Sequence, residues 1–337
     1  MKFRQYYKIT DSAWGFFLGL MVPQIFFAIL LIIISSIAVS QGADEETISN
    51  SLALQYTSVV LSPLLFLAVF FIYSAIAKIN PINASKIKTK FNIYYLLISI
   101  VVGVILLFGF NKFIALCDYG IYKLTDLLPS DLPQPLDSVG MYFLGILLFA
   151  LLPAICEEFL FRGLIFNGLR TRIKPVAAII LGGFLFAIMH LSIQQFIYQF
   201  VLGIALCAIV YLTGSIVYSI IVHFVNNFLV VTLIYANTIA GTYESLQTTW
   251  SGTEIALSIV IMLLTVVSII VLFYFWNKKF PPKKEEVIID NQKIVVEGIG
   301  EYEQRALNPT KMSPFGWMML SMCVGIGMWL YAVILSI

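Results

Sequence analysis

Residues 139–166 read VGMYFLGILLFALLPAICEEFLFRGLIF, an almost wholly apolar stretch that contains three ionisable side chains. The stretch is long enough to cross a membrane, because a helix spans about 30 Å of hydrocarbon with roughly 20 residues. Its charges are those of Glu157, Glu158 and Arg162. Ionisable groups at bilayer depth cost a few kcal/mol each even on lenient scales, so three of them so close together indicate pairing or function.

The rest of the chain has the composition of a membrane protein. Hydrophobic residues make up 60% of the 337 residues, and charged residues only 11%. Soluble domains are usually about 45–50% apolar and about 25% charged. The basic residues lie in short loops and not on one face, which argues against a nucleic-acid partner. We therefore predict an all-α, polytopic helical membrane protein with about 8–9 transmembrane helices, whose surroundings are the lipid bilayer.

Nine apolar runs are long enough to be transmembrane helices. The first is longer than the roughly 7–15 residues of a signal-peptide core, so we expect it to remain as a span. The runs lie at 15–39, 55–77, 93–116, 139–168, 176–193, 196–213, 215–236, 253–276 and 315–336.

These runs divide the chain into regions with different expected roles. We predict N-terminal transmembrane helices at 1–138, a core of transmembrane helices at 139–236, a further transmembrane helix at 237–276, a cytoplasmic segment at 277–314 and a C-terminal transmembrane helix at 315–337. In the cytoplasmic segment, the alternating sequence VIIDNQKIVV (287–296) is typical of a small hairpin. We expect this segment to be a solvated connector, with a docking site for partners as the alternative.

The loop charges orient the predicted helices, because cytoplasmic loops carry an excess of lysine and arginine. Basic residues cluster before the first run and after the second, fourth and eighth, which all lie on one side if nine spans alternate. The opposite side holds only Lys112 and Lys123, together with the acidic loop around Glu45. We predict a cytoplasmic N-terminus and an outer C-terminus. The high isoleucine and lysine content favours a bacterial cytoplasmic membrane.

The two adjacent glutamates are expected to have different roles, because neighbouring helical residues point about 100° apart. Glu158 and Arg162 are spaced i,i+4 with the acid first, the favourable order for a helical ion pair. Glu157 has no such local partner. An unpaired carboxylate in a bilayer needs water, a metal or another polar side chain, so Glu157 is the strongest candidate for a functional residue.

Both histidines of the chain lie in predicted spans that follow the glutamate pair. At 1.5 Å per residue, Glu157 lies ~18 Å above the cytoplasmic end of its helix and His190 ~21 Å above the start of its own. His223 lies ~12 Å and Asn227 ~18 Å above the start of their helix. Gly182 and nearby small residues allow close helix packing. These side chains are therefore expected to converge near the middle of the membrane.

Three patterns in these helices resemble the motifs of a known family. They are Glu157-Glu158-x-x-x-Arg162, Phe186-x-x-x-His190 and His223-x-x-x-Asn227. In this order and on nearby spans, they are similar to the motifs of the CPBP family, the CAAX-protease and bacteriocin-processing membrane proteins also called Abi. The family includes the eukaryotic CAAX prenyl endopeptidase. The resemblance covers roughly residues 140–235, and it implies that the core at 139–236 is catalytic.

The resemblance implies intramembrane hydrolysis of a peptide bond in a peptide or protein substrate within the membrane. It assigns Glu157 and His190 to the activation of a water molecule, as a general base acts. It assigns His223 and Asn227 to hydrogen bonds that stabilise the oxyanion of the tetrahedral intermediate. Glu158 and Arg162 then hold the shape of the site.

The resemblance leaves the metal dependence open, because the family is commonly labelled as metalloproteases. A catalytic zinc takes about three protein ligands and an open position. Glu157, His190 and His223 are the expected ligands of a single Zn²⁺ in that interpretation. The HExxH pattern of zinc proteases is absent from the sequence. We favour metal-independent activation of water.

Two other function classes compete with proteolysis. A non-catalytic membrane scaffold that regulates a partner enzyme is the first alternative, although this sequence keeps every motif residue. A transporter or proton relay is the second, but it predicts polar residues across the full membrane depth. Among substrates, a prenylated CAAX tail, a bacteriocin leader, a signalling peptide and a membrane-protein segment all remain open.

Overall fold

The computed structural model describes residues 3–40, 52–87, 91–126, 136–242, 249–281, 285–289, 292–296 and 314–336. These ranges contain helices and one pair of strands. The helices are α1 (Ile9–Ser40), α2 (Leu52–Ile76), α3 (Pro81–Ala84), α4 (Ile93–Thr125), α5 (Val139–Leu169), α6 (Pro175–Met189), α7 (Ile193–Thr213), α8 (Ile216–Ala240), α9 (Gly252–Lys279) and α10 (Pro314–Ser336). The strands are β1 (Glu285–Ile289) and β2 (Gln292–Val296).

Within the described ranges, 8 helices are long and apolar enough to cross a membrane. They correspond to eight of the nine apolar runs, so the predicted polytopic all-α architecture is confirmed. The hydrophobic side chains that face outwards fit this setting, because many large ones on α1, α2, α9 and α10 are exposed. In a membrane these faces contact lipid.

The run at 176–193 forms a shorter helix than predicted. Helix α6 has 15 residues and ends at Met189, which makes it about 22 Å long at 1.5 Å per residue. The chain then turns through Leu191, whose φ of 50° is unusual for a residue with a side chain. The Ser192 hydroxyl caps the start of α7 by accepting a hydrogen bond of 3.3 Å from the backbone N–H of Gln195. His190 therefore lies just past the C-terminal end of a 15-residue helix and not inside the helix, as the apolar run predicted.

The predicted hairpin is present as strands β1 and β2. They pair antiparallel, with Ile289 opposite Gln292 and Glu285 opposite Val296. Residues 282–284, 290–291 and 297–313 of the predicted cytoplasmic segment lie outside the described ranges. The alternation of apolar and polar side chains thus predicted the strands correctly, while the role of the segment stays a prediction.

Helix α5 is irregular on both sides of the glutamate pair. Two segments with π-helical geometry, Ile146–Leu151 and Phe159–Phe166, flank the α-helical residues Leu152–Glu158. Pro153 has no backbone N–H to donate to the carbonyl one turn earlier, which favours a wider turn before it. Widened π turns occur frequently at functional sites, since they redirect side chains without ending the helix.

Small residues bring the neighbouring helices close to α5 and to each other. A Cβ atom at Gly15 of α1 would lie 2.4 Å from Leu164 on α5, and one at Gly19 would lie 2.8 Å from Leu160. A Cβ atom at Gly203 of α7 would lie 2.8 Å from the Cα atom of Gly183 on α6. Close approach through small residues is the usual way for helices to pack in a membrane. It places α1 directly against the helix that carries the glutamates.

The start of α1 is tied to the end of α2 by a polar cluster. Asp11 accepts hydrogen bonds from the Arg4 guanidinium and from the Tyr73 hydroxyl, both at 2.7 Å. Tyr7 and Ser74 share a further hydrogen bond of 2.8 Å. Burial raises the pKa of the Tyr7 hydroxyl, so the group keeps its proton. These contacts hold α1 and α2 side by side.

Candidate active site

Glu158 and Arg162 form the ion pair that their spacing predicts. Arg162 Nη1 lies 2.7 Å from Glu158 Oε1, and both side chains are 0% exposed. The same Glu158 oxygen lies 3.0 Å from His223 Nδ1 on α8. Two partners on one carboxylate oxygen offset the cost of removing its charge from water. This three-residue network joins α5 to α8.

Arg162 is also held by two further contacts. Its Nη2 donates to the Gly203 carbonyl on α7 at 3.2 Å, which is accessible because glycine has no side chain there. Its guanidinium lies 4.3 Å from the centre of the Phe186 ring on α6. A cation over an aromatic face at this distance is attracted by the ring electrons. Arg162 thus connects α5 with α6 and α7, and the prediction of a buried pair is confirmed.

Glu157 faces away from this network, as the 100° offset between neighbouring residues predicts. It lines a cavity of about 260 Å³ between α5, α1, α2 and the turn after α6. Its Oε2 atom is buried and has no hydrogen-bond partner. A buried carboxylate oxygen without a partner is costly unless a ligand or water binds there. The Glu158 Oε2 atom also lacks a partner, so it is the cavity beside Glu157 that indicates where chemistry can take place.

His190 lines the same cavity as Glu157. Its Nδ1 lies 2.8 Å from the Phe186 carbonyl oxygen. Because a carbonyl only accepts hydrogen bonds, Nδ1 must carry the proton, which leaves Nε2 of the neutral ring as an acceptor. Glu157 and His190, which the sequence predicts to lie at a similar depth, thus line one cavity.

Phe186, the first residue of the Phe186-x-x-x-His190 motif, contacts several side chains of the candidate site. Its ring contacts both histidines, with ring centres 4.8 Å from His190 and 5.9 Å from His223. Its carbonyl orients His190, and its face receives the Arg162 guanidinium. One residue thus positions the groups on both sides of α5. Its role was not derivable from spacing alone, since phenylalanine is abundant in this chain.

His223 is buried and bound to another side chain of the protein. Its Nδ1 atom lies 3.0 Å from Glu158 Oε1, and only 3% of the residue is exposed. Asn227 lies one turn further along α8 and is half-buried. Its neighbour Asn226 is 0% exposed and donates to the Tyr198 hydroxyl on α7. Sequence reasoning missed Asn226 and Tyr198, although two adjacent asparagines in an apolar helix were a signal.

The residues expected to bind zinc are not brought together as a ligand set. Within the described ranges, no group of three or more His, Cys, Asp or Glu side chains is arranged to hold a metal ion. His223 is bonded to Glu158, whereas Glu157 and His190 line the cavity. A catalytic zinc takes about three protein ligands. The set Glu157, His190 and His223 does not fit that requirement in this structure.

Two helices outside the motif region complete the cavity. Helix α1 contributes Gly19, Pro23 and Gln24, and helix α2 contributes Ser62 and Phe66. Sequence reasoning missed these residues, because it confined the site to the motif-bearing helices. The available signal was the presence of Gln24 and Ser62 next to prolines in otherwise apolar runs.

The chain was compared with known families, curated proteins and solved structures. Residues 139–229 match the family model described as type II CAAX prenyl endopeptidase Rce1-like. No curated protein and no solved structure shows a significant match to the chain. The matched segment contains Glu157, His190, His223 and Asn227, so it includes every residue that the motif resemblance singled out. Gln24 and Ser62 lie outside it.

Proposed function

Since residues 139–229 match the type II CAAX prenyl endopeptidase Rce1-like family model, we propose that this integral membrane protein hydrolyses a peptide bond within the bilayer. In this proposal, Glu157 and His190 activate the attacking water. At the family level, the match supports an intramembrane CAAX endopeptidase. The observation that carries the finer proposal is the shared cavity. Glu157 presents an unpartnered oxygen next to it, and His190 lines it with an acceptor nitrogen on its ring.

These two groups suit the activation of a single water molecule. The Glu157 carboxylate and the His190 Nε2 atom both accept hydrogen bonds, so a water between them donates both of its protons. Its oxygen lone pairs then face a peptide carbonyl carbon. As the oxygen attacks, Glu157 takes one proton as general base. The tetrahedral intermediate breaks its C–N bond, and that proton passes to the departing amine.

The oxyanion is assigned to His223 and Asn227. The Asn227 amide donates hydrogen bonds without any change of charge. His223 shares its Nδ1 with Glu158, so it can donate from Nε2 only when both ring nitrogens carry protons. The contact with Glu158 fixes the orientation of the His223 ring, which gives the Glu158–Arg162 pair a second role besides packing.

Replacement of Glu157 by glutamine tests the proposal. We would reconstitute the protein in lipid vesicles with a farnesylated C-a-a-X peptide and its unprenylated counterpart, and measure the cleavage products by mass spectrometry. Glu157→Gln keeps the size and hydrogen bonding of the side chain but cannot take a proton. Cleavage should fall by roughly 10²–10⁴-fold, the usual value of general-base catalysis. Thermal stability should remain unchanged.

Asp126→Asn is the matched control. Asp126 is an exposed carboxylate that ends α4 in a left-handed conformation, which asparagine also tolerates. This variant should cleave like the wild-type protein. If Glu157→Gln instead keeps full activity in the cell, the scaffold interpretation replaces proteolysis.

A further inference from the structure

The cavity that holds Glu157 and His190 has a polar wall on α1 and α2. Gln24 lies 15 residues after the first residue of α1, about 22 Å along the helix axis. It is exposed on its helix, yet it lies at a depth where an unsatisfied amide is costly. Ser62 lies in the middle of α2 and lines the cavity opposite the turn after α6.

Neither side chain is satisfied by the protein. In the described part of the chain, no hydrogen bond involves the Gln24 amide or the Ser62 hydroxyl. The other serines of α2 differ, because Ser58 donates to the Gln55 carbonyl at 2.7 Å and Ser74 to the Phe70 carbonyl at 2.6 Å. This local bond is the usual way for serine to be accommodated in a membrane helix. Ser62 leaves its hydroxyl available to the cavity.

The backbone of α1 adds a third polar group at the same place. Pro23 has no N–H, so the carbonyl of Gly19, four residues earlier, lacks its usual helical donor. Both Gly19 and Pro23 line the cavity. Gly19 has no side chain of its own beside this carbonyl, and Leu160 and Met189 pack against its Cα atom. The wall therefore offers one backbone acceptor, one hydroxyl and one amide.

From these observations, and resting on the proposed function, we propose that Gly19, Gln24 and Ser62 form a subsite that binds the main chain of an extended substrate peptide beside Glu157. A peptide must leave its helical hydrogen bonds to be hydrolysed, and in hydrocarbon its free N–H and C=O groups need new partners. The Gly19 carbonyl accepts from a substrate N–H, and the Ser62 hydroxyl donates to a substrate carbonyl. The Gln24 amide can do either.

The size of the cavity agrees with this occupant. Its volume of about 260 Å³ is slightly smaller than the usual range for ligand sites, roughly 300–1,000 Å³. It therefore accommodates a short extended segment and excludes a helix with its side chains. Its remaining lining is largely apolar, with Leu20, Phe66, Phe161 and Met189 available for substrate side chains. Recognition of the main chain by polar groups and of side chains by apolar surface is the pattern of an extended-peptide site.

Binding can be measured separately from cleavage in the Glu157→Gln protein. In lipid nanodiscs, a fluorescent farnesylated C-a-a-X peptide would be titrated and its Kd determined by anisotropy. Ser62→Ala and Gln24→Met, each added to Glu157→Gln, should weaken binding by about 3- to 10-fold, the value of one hydrogen bond. Ser58→Ala, whose hydroxyl is bonded within α2, should change the Kd by less than about twofold.

Peptides N-methylated at successive backbone amides give the sharper readout. The parent protein in this comparison is Glu157→Gln. Methylation of the substrate amide that pairs with Gln24 should weaken binding to the parent protein. In the variant that also carries Gln24→Met, the same methylation should cause no further loss of affinity. If the Ser62→Ala and Gln24→Met variants bind every peptide with the same Kd as the parent protein, the proposed subsite is wrong, while the proposed proteolysis is not affected. If the parent binds no peptide and the wild-type protein cleaves none, the proposed function fails together with this inference.

Discussion

Glu157 and Glu158 are neighbours in sequence but lie in two separate environments on different faces of α5. Glu158 is fully buried between Arg162 and His223, with both of these partners on its Oε1 atom. Glu157 lines a cavity and has a buried oxygen without a partner. Substitutions on the two sides should therefore separate folding from chemistry.

Loss of Arg162 should mainly lower the yield of folded protein. Arg162→Ala leaves the Glu158 carboxylate buried with only His223 beside it, which costs roughly 3–5 kcal/mol. Fluorescence-detected size exclusion and thermal unfolding in detergent measure the effect. Glu158→Gln combined with Arg162→Met removes both charges and should recover part of the yield. An abundant, well-folded Arg162→Ala protein without activity would instead place the arginine in the chemistry.

His223→Ala should affect both activity and stability. The sequence alone predicts a loss of one oxyanion donor, about 10²–10³-fold in cleavage, with the fold intact. The structure adds the bond to Glu158, whose loss should cost about 1–3 kcal/mol of folding free energy. Cleavage assays and thermal unfolding on the same preparation separate the two effects. Unchanged stability would mean that Glu158 is satisfied by Arg162 alone.

His190→Ala should reduce cleavage with little effect on folding. The ring lines the cavity, and the hydrogen bond it makes from Nδ1 is to the Phe186 carbonyl. Removing it should lower kcat by roughly 10²–10⁴-fold while KM stays near the wild-type value, since it acts on the water and not on the substrate. Steady-state kinetics on the farnesylated peptide give this split. An increase in KM with unchanged kcat would assign His190 to substrate binding.

Prolonged chelation should leave activity intact. Glu157 and His190 alone do not provide the roughly three protein ligands that a catalytic zinc takes. The purified protein would be dialysed against a strong chelator, and its metal content and cleavage rate measured before and after. Activity that disappears on chelation and returns with added zinc would show that the protein is a metalloenzyme.

The loop charges predict a cytoplasmic N-terminus and a cytoplasmic segment after α9. Single cysteines would be placed at positions 45 and 283, which both lie outside the described residues, in a background with Cys117 and Cys323 replaced by serine. A membrane-impermeant thiol reagent added to intact cells should label position 45 and miss position 283. The reverse pattern would contradict both the orientation and the number of spans.

Sequence reasoning located the spans and the local pairs well, because both depend on short-range rules. Hydrophobic length predicted α1, α2 and the later long helices, and the i,i+4 spacing predicted the Glu158–Arg162 contact. It overestimated α6, since the apolar composition continues past Met189 while the backbone turns at Leu191. Hydrophobic composition predicts which segments can lie in a membrane, but it does not predict where a helix ends inside an apolar run.

The sequence by itself determined that this is a polytopic membrane protein and that two glutamates diverge on one helix, and it predicts that both histidines lie near their depth. Those conclusions follow from hydrophobicity and from the helical period, which are properties of each segment alone. Only the tertiary structure decided that His223 binds Glu158, and that α1 and α2 supply Gln24 and Ser62 to the cavity. Such partners depend on how helices rotate and cross. That packing is decided by close contacts such as Gly19 against Leu160, between residues far apart in the chain.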